Sequence, residues 1–340
     1  MKKTILLITL LIFLVSCTPS HQTDQYTGSR GVEFEFSSNM PPNNVLVGDR
    51  VYFGFDIVNR GAHSLEGGKQ GVIMLDFNPI YFDSDSDQIT VPFHDETNRR
   101  YESFNVRGKD PGYTAGERTM VNLGFARANI PGTRESVSTE LNANICYPYR
   151  TFLSDVVCID TNVFDQVSDP LCRSRVKGYS SQGAPVAITR VSPTMMPIEI
   201  IDEETETTVS VVDEDGQFWG LERETVSTQH VILKPAFEIQ IRNVGGGTPF
   251  YSEDRTIEQT CLRSDDSRRV NQVRIFADMD GLELECTPQF VDLNDGVTRC
   301  ELPDDDLFAT PSSYQAVLNL ELEYYYLDSE SKRINIQRVG

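Results

Sequence analysis

Apolar and polar side chains alternate with a period of two along much of this chain, and that period restricts the fold more than any other feature. At positions 32–36, a valine and two phenylalanines alternate with glutamates, and positions 318–326 show a similar alternation of leucines and tyrosines with polar residues. Successive side chains of a β-strand point to opposite faces, so the pattern predicts strands with one face on a core and one in water. Long runs with the helical period of 3.6 are missing from the sequence. We therefore expect an all-β fold of antiparallel sheets.

Two stretches of the chain resemble each other and predict two related β units. Val51–Gly61 and Pro235–Gly245 each contain a phenylalanine, then an isoleucine in a strand pattern, and then Asn-x-Gly. Asn and Gly tolerate the positive φ that a tight corner after an inner strand requires. The same local fold is therefore expected twice.

The boundary between the two units is expected where small and basic residues interrupt the apolar pattern. This places a first β-sandwich at 31–172, a linker at 173–183 and a second β-sandwich at 184–340. Within the second sandwich, residues 202–228 form an acidic insertion, with nine carboxylates and a single arginine.

The acidic insertion carries the chain's only tryptophan, Trp219, next to Phe218. Aromatic side chains are common anchors at protein interfaces, so this pair is a candidate for partner binding. Packing of the two rings under their own loop is the alternative interpretation.

The first 30 residues predict export. Two lysines precede an apolar run at 5–15, which has the length of a signal-peptide core and falls short of the ~20 residues that a membrane-spanning helix needs. The run ends in Leu14-Val15-Ser16-Cys17, which resembles the lipobox of prokaryotic lipoproteins. That resemblance implies a signal peptide at 1–16, a lipid on the Cys17 sulfur and a flexible tether at 17–30. An ordinary signal peptide with an incidental cysteine is the alternative.

The remaining cysteines predict disulfides. Their number is even and they contain no C-x-x-C pair, which disfavours a zinc site. The pair Cys286 and Cys300 is favoured, because residues 289–293 and 297–300 predict two strands joined by a turn at 294–296. Since each half of the chain holds three of them, at least one bridge must join the halves or a linker to a domain. The six are Cys146, Cys158, Cys172, Cys261, Cys286 and Cys300.

The charge balance excludes one class of partner. Acidic residues outnumber basic ones 51 to 30, which gives a net charge of −21. Such a chain repels nucleic-acid phosphates and anionic lipid surfaces.

The sequence lacks G-x-S-x-G and H-E-x-x-H motifs, and its four histidines are far apart, so we expect no enzyme and no required cofactor. A hydrolase with a dispersed site around His94 or His230 is a less favoured alternative.

Carboxylates at short spacing raise the possibility of calcium binding. Asp83, Asp85 and Asp87 have the D-x-D-x-D spacing that begins a calcium loop, and Asp213 and Asp215 form a second acidic turn. Neither turn has the glycine of an EF-hand in its required place. A solvated acidic turn is the favoured interpretation of both, with Ca²⁺ as the alternative.

An extended strand followed by Asn-x-Gly resembles the CARDB, or cell-adhesion-related, Ig-like domains of archaeal and bacterial surface proteins. The stretch from Cys146 to Asp160, followed by Gly183-Ala-Pro-Val186, is similar to uncharacterised surface lipoproteins of small-celled archaea. The resemblance implies two Ig-like antiparallel β-sandwiches with a non-enzymatic binding or scaffold role. We therefore expect a lipid-anchored extracytoplasmic protein that binds an envelope protein or a surface polymer. A calcium-dependent adhesion or sensor module is the alternative.

Overall fold

The computed structural model describes residues 27–83, 100–110, 112–160, 172–212, 218–253, 256–262, 268–303 and 313–339. These residues are mostly strand, with one short helix, which confirms the all-β fold. The strands are β1 (Val32–Phe36), β2 (Asn44–Leu46), β3 (Arg50–Asn59), β4 (Gly71–Asp76), β5 (Phe82–Asp83), β6 (Arg100–Phe104), β7 (Arg118–Ala128), β8 (Ser136–Asp160), β9 (Lys177–Gly178), β10 (Val186–Val212), β11 (Phe218–Asn243), β12 (Thr248–Tyr251), β13 (Arg269–Val270), β14 (Gln272–Met279), β15 (Leu282–Glu283), β16 (Glu285–Thr287), β17 (Phe290–Asp292), β18 (Val297–Glu301) and β19 (Ser313–Gln337), and the helix is α1 (Ile257–Leu262).

The described strands form three sheets. The first has the order β1-β3-β7-β5, and the second has the order β16-β18-β11-β10-β9. The third has the order β13-β12-β19-β8-β4-β6, and β14 adds to it beside β19. All pairs are antiparallel except β2 with β19. This is the arrangement expected of sheets that keep one face on a core and one in water.

The two longest strands of the third sheet pair with each other along their whole length. β8 and β19 each contain 25 residues, with Ser136 opposite Gln337 and Asp160 opposite Ser313. The middle residue of each strand, Pro148 or Tyr325, lies opposite the middle residue of the other. A two-fold rotation (180°) about this central pair therefore exchanges β8 with β19.

The strands around this ladder repeat the symmetry. β4 pairs with β8 as β14 pairs with β19, and β3 pairs with β7 as β11 pairs with β18. Val32 lies opposite Asn59 at the start of the β1–β3 pair, and Val186 lies opposite Asn243 at the start of the β10–β11 pair. We call β1–β8 unit one and β10–β19 unit two. They lie on either side of the predicted linker at 173–183, but the third sheet runs through both, and the division into two domains stays a prediction.

The core fills the space between the sheets, as the alternation predicts. In β14, for example, every second residue from Val273 to Met279 is buried. One cluster of buried apolar side chains includes residues of both units, such as Phe53 and Phe55 from β3 and Phe237 from β11. The β8–β19 ladder therefore joins the units by packing as well as by hydrogen bonds.

Three disulfides connect the six cysteines. Cys146–Cys261 joins the two units, Cys158–Cys172 ties the end of β8 to the segment that follows it, and Cys286–Cys300 links β16 to β18. The sequence favours the pair Cys286–Cys300, and the structure has it. The predicted hairpin of residues 289–293 and 297–300, from which the pair was inferred, is wrong. β17 pairs with β14, whereas β18 pairs with β16 and β11. Long-range strand partners therefore replaced the local pairing that the turn at 294–296 had indicated.

A β-ribbon extends from unit two. Beyond Pro197 and Leu233, β10 and β11 pair with each other as far as Val212 and Phe218. We call residues 199–212 and 218–232 the arm. It contains most of the acidic insertion predicted at 202–228, which is therefore built of two paired strands.

No helix in the part of the chain that the structure describes is long and apolar enough to cross a membrane.

Candidate functional site

The Asn-x-Gly corner of unit one is held by the side chain of Asn59. Its Nδ2 donates to the carbonyl oxygen of His63 at 2.7 Å, and its Oδ1 accepts from the amide of Gly61 at 3.0 Å. The hydroxyl of Tyr149, on β8, also donates to this Oδ1 at 3.3 Å. One asparagine thus fixes the corner and binds it to the central ladder.

The corner of unit two has the same hydrogen bonds. Asn243 Nδ2 donates to the carbonyl oxygen of Gly247 at 2.8 Å, and Asn243 Oδ1 accepts from the amide of Gly245 at 3.2 Å. The hydroxyl of Tyr326, on β19, donates to Oδ1 at 3.2 Å. The short resemblance between the two sequence stretches therefore corresponds to one hydrogen-bond network built twice.

Four buried tyrosines form the centre of the ladder. Tyr147 and Tyr149 of β8 lie beside Tyr324 and Tyr326 of β19, with ring centroids 5.6 to 6.4 Å apart. Burial raises the pKa of each hydroxyl, and that of Tyr326 to about 12. The four hydroxyls are therefore neutral near pH 7. Tyr325 alone of its triplet points to the outer face, as the alternation predicts.

The outer face of the third sheet is covered in unit one. Val72 and Met74 of β4 and Cys146 of β8 are buried there, and the Cys146–Cys261 disulfide attaches α1 to them. Phe250 of β12 completes this small second core. Tyr325, at the central pair of the ladder, packs against this second core.

A cleft of about 270 Å³ lies beside α1. Its lining includes His63, Lys69, Arg150, Tyr251 and Glu323. Burial, together with the positive charges of Lys69 and Arg150, lowers the pKa of His63 to about 4. The imidazole is therefore neutral near pH 7, and its buried Nε2 has no hydrogen-bond partner among the described residues.

A second cavity, of about 510 Å³, continues along the outer face in unit two, and we call it the groove. It shares Arg150 and Glu323 with the cleft. Strand register places Phe276, Glu321 and Phe152 side by side on β14, β19 and β8. The next row along the same face is Arg274, Glu323 and Arg150. Asp278 and Glu283 also line the groove.

Arg150 lies between the two central glutamates of the groove. Its Nη1 is 2.7 Å from the Glu321 carboxylate, and its Nη2 contacts that of Glu323. Asp278 accepts hydrogen bonds from Asn319 Nδ2 and from the amide of Gly281. The groove thus combines ordered carboxylates with two aromatic side chains.

The residues singled out in the sequence fall in different places. Cys17, Asp85, Asp87, His94, Asp213 and Asp215 lie outside the described residues. Asp83 is exposed at the end of β5, and His230 lies opposite Ile201 in the arm. Phe218 and Trp219 are the first two residues of β11. Among the described residues, no group of three or more His, Cys, Asp or Glu is arranged to hold a metal ion.

Sequence reasoning missed the groove. Phe152 and Phe276 are far apart in the chain, and only the joint register of β8, β19 and β14 brings them to one face. The available signal was a phenylalanine at a position that alternation assigns to solvent, but such a residue is common on its own.

Comparison with known proteins gives no family. No protein-family profile matches this chain, and no curated protein matches it. The C-terminal domain of the Streptococcus pyogenes antigen I/II-family protein AspA aligns over 91% of this chain and 100% of that domain, at 8% identity and a TM-score of 0.22. Another structure, BspA_C_mut, aligns over 91% of this chain and 98% of its own, at 7% identity and a TM-score of 0.20. Similarity this low transfers no function.

Proposed function

We propose that this chain is a lipid-anchored, non-catalytic binding or scaffold protein of the cell envelope, and that its arm contacts the partner. Three disulfides fit an oxidising, extracytoplasmic compartment. The signal-peptide pattern, the lipobox-like sequence before Cys17 and the polar stretch at 17–30 support anchoring of the mature chain to a membrane.

The arm is the observation that carries the binding role. At 3.3 Å per residue, residues 199–212 extend for about 45 Å. Neither edge of the ribbon pairs with any other described strand beyond Pro197 and Leu233. Free strand edges present rows of N–H and C=O groups that can pair with an added strand of another protein.

The comparison between the units shows that the arm is not needed to build a sandwich. In unit one, the corresponding β1–β3 pair ends at Phe36 opposite Phe55. In unit two, the equivalent pair continues as far as Val212 opposite Phe218. Ordering a long extension of this kind costs conformational entropy, which favours a role outside the fold.

The charge of the arm restricts its partner. Nine carboxylates and one arginine at 202–228 oppose pairing between the arms of two copies, because like charges would face each other. The partner is therefore a different envelope protein or a surface polymer, with a neutral or positively charged contact surface.

Truncation of the arm tests this proposal. Glu204 and Ser227 lie directly opposite each other, so an Asn-Gly turn can replace residues 205–226. The truncated protein should melt at the temperature of the unaltered protein, because the removed residues pair only with each other among the described strands. Cross-linking in the native envelope should then lose the partner captured by the unaltered protein. Equal capture by the two proteins would contradict the role of the arm.

A further inference from the structure

The three disulfides differ in how the fold places their cysteines. Cys286 and Cys300 lie directly opposite each other on the neighbouring antiparallel strands β16 and β18. Their Cα atoms are 3.9 Å apart, whereas the Cα atoms of each of the other two pairs are 5.8 Å apart. Disulfides usually join Cα atoms that are about 4.4–6.8 Å apart, and a bridge outside this range is more easily reduced. Its place in the ladder therefore makes Cys286–Cys300 the most easily reduced of the three bridges.

The bridge links a short edge strand to the second sheet. β16 has three residues, and among the described strands it pairs only with β18. The residues on either side of β16 are held separately, because the amide of Leu284 donates to the carbonyl oxygen of Ala277 and Thr298 Oγ1 donates to that of Pro288. Opening of the disulfide should therefore release residues 285–287 from β18 and leave the rest of the fold in place.

The burial of the two cysteines fixes the direction of the exchange reaction. Cys300 is fully buried, whereas Cys286 is partly exposed, so an external thiolate attacks the sulfur of Cys286. A bond forms between the attacking sulfur and Cys286 as the Cys286–Cys300 bond breaks, and Cys300 leaves as a thiolate that takes up a proton. A second thiol of the same donor then displaces Cys286. The protein gains two electrons and two protons, and the dithiol donor becomes a disulfide.

We propose that Cys286–Cys300 is a reversible thiol–disulfide exchange site, which a dithiol protein opens and the reverse exchange with a protein disulfide closes. Opening frees the edge of β18, and a free strand edge presents N–H and C=O groups for pairing. This edge belongs to the sheet from which the arm extends, since β18 also pairs with β11. The inference concerns the sheet and its disulfide alone, so it stands or fails independently of the arm's binding role.

Equilibration of the purified protein in buffers of graded reduced-to-oxidised dithiothreitol ratio tests the proposal. Alkylation and peptide mass mapping then give the reduced fraction of each bridge. Cys158–Cys172 is the internal control, because its cysteines are also 14 positions apart and both are partly exposed. Cys286–Cys300 should be half reduced at a ratio at least tenfold lower than Cys158–Cys172. Equal ratios, or a lower ratio for the more exposed Cys158–Cys172, would overturn the proposal.

Amide hydrogen exchange tests the freed edge. Replacing Cys286 and Cys300 by alanine mimics the opened site, and replacing Cys158 and Cys172 by alanine is the matched control. The amides of β16 should exchange at least tenfold faster in the first variant than in the unaltered protein, and at the unaltered rate in the control. Unchanged protection of β16 in the first variant would contradict the release of the edge. Loss of protection throughout that variant would show that the bridge maintains the whole fold, which would also overturn the proposal.

Discussion

The duplicated corner predicts that two glycines tolerate no side chain. A Cβ at Gly61 would overlap the Tyr149 hydroxyl and lie 2.5 Å from the carbonyl oxygen of Gly183. A Cβ at Gly245 would overlap the Tyr326 hydroxyl and lie 2.8 Å from Pro185 Cβ. Gly246, the next residue, has no heavy atom within 4 Å of its Cβ position and supplies a matched control.

The free-energy cost of Gly245→Ala depends on the hydrogen bonds that the Tyr326 hydroxyl would lose. Its hydroxyl accepts from the amide of Gly247 at 2.8 Å and donates to Asn243 Oδ1 at 3.2 Å. Losing both bonds costs about 2 kcal/mol, and forcing a methyl group into a packed site costs about another 1–3 kcal/mol. We therefore expect Gly245→Ala to lower the free energy of unfolding by about 3–5 kcal/mol. Gly61→Ala should cost at least as much, because a backbone carbonyl blocks its methyl group.

Urea-induced unfolding, followed by far-ultraviolet circular dichroism with the disulfides intact, measures these differences. Gly246→Ala should stay within about 1 kcal/mol of the unaltered protein, since the added methyl group meets only solvent. A Gly245→Ala protein as stable as Gly246→Ala would refute the tight corner, and with it the shared network of the two units.

Two further predictions concern the disulfides and pH. Replacing Cys146 and Cys261 by alanine should lower the free energy of unfolding more than replacing Cys286 and Cys300 does, because the first bridge closes a loop of 115 positions and the second a loop of 14. The chain-entropy model gives about 4.7 kcal/mol for the first bridge and about 3 kcal/mol for the second. Urea unfolding of the two double variants checks this, and the reverse order would contradict it. The pKa of His63 is about 4 in the folded protein, below its ordinary value of 6.5, so the unfolded chain takes up this proton first as pH falls. The stability from the neutral imidazole is complete above pH 6.5 and is lost between pH 6.5 and 4, up to about 3 kcal/mol. His63→Gln should flatten the unfolding free energy over this range, and an unchanged slope would show that His63 does not titrate in this way.

The local features of the fold were predictable because the sequence records them locally. Alternation placed Tyr324 and Tyr326 inside and Tyr325 outside. The Asn-x-Gly pattern marked both corners, because asparagine satisfies the backbone of such a turn by itself. Both residues of the turn at Asp280 and Gly281 have positive φ, for which Asp-Gly is a typical sequence.

The arrangement of the strands was not predictable, because it depends on partners far apart in the chain. Nothing near Val297 indicates that β18 pairs with β11 and β16 in preference to β17. The full-length pairing of β8 with β19 is invisible in either strand alone, and only together with the β14–β19 pairing does it create the row of Phe276, Glu321 and Phe152. The acidic insertion at 202–228 contains many threonines and glutamates and shows no clear apolar alternation. Its composition therefore indicated a loop, whereas the structure has two paired strands there.

We propose that this protein is exported, held to a membrane by a lipid and stabilised by disulfides. The most direct test is the intact mass of the protein taken from its native membrane, with and without reduction before alkylation. We expect the mass to show cleavage before Cys17, the addition of a lipid, and six cysteines that react only after reduction. Free thiols before reduction, together with a retained or unlipidated N-terminus, would contradict it.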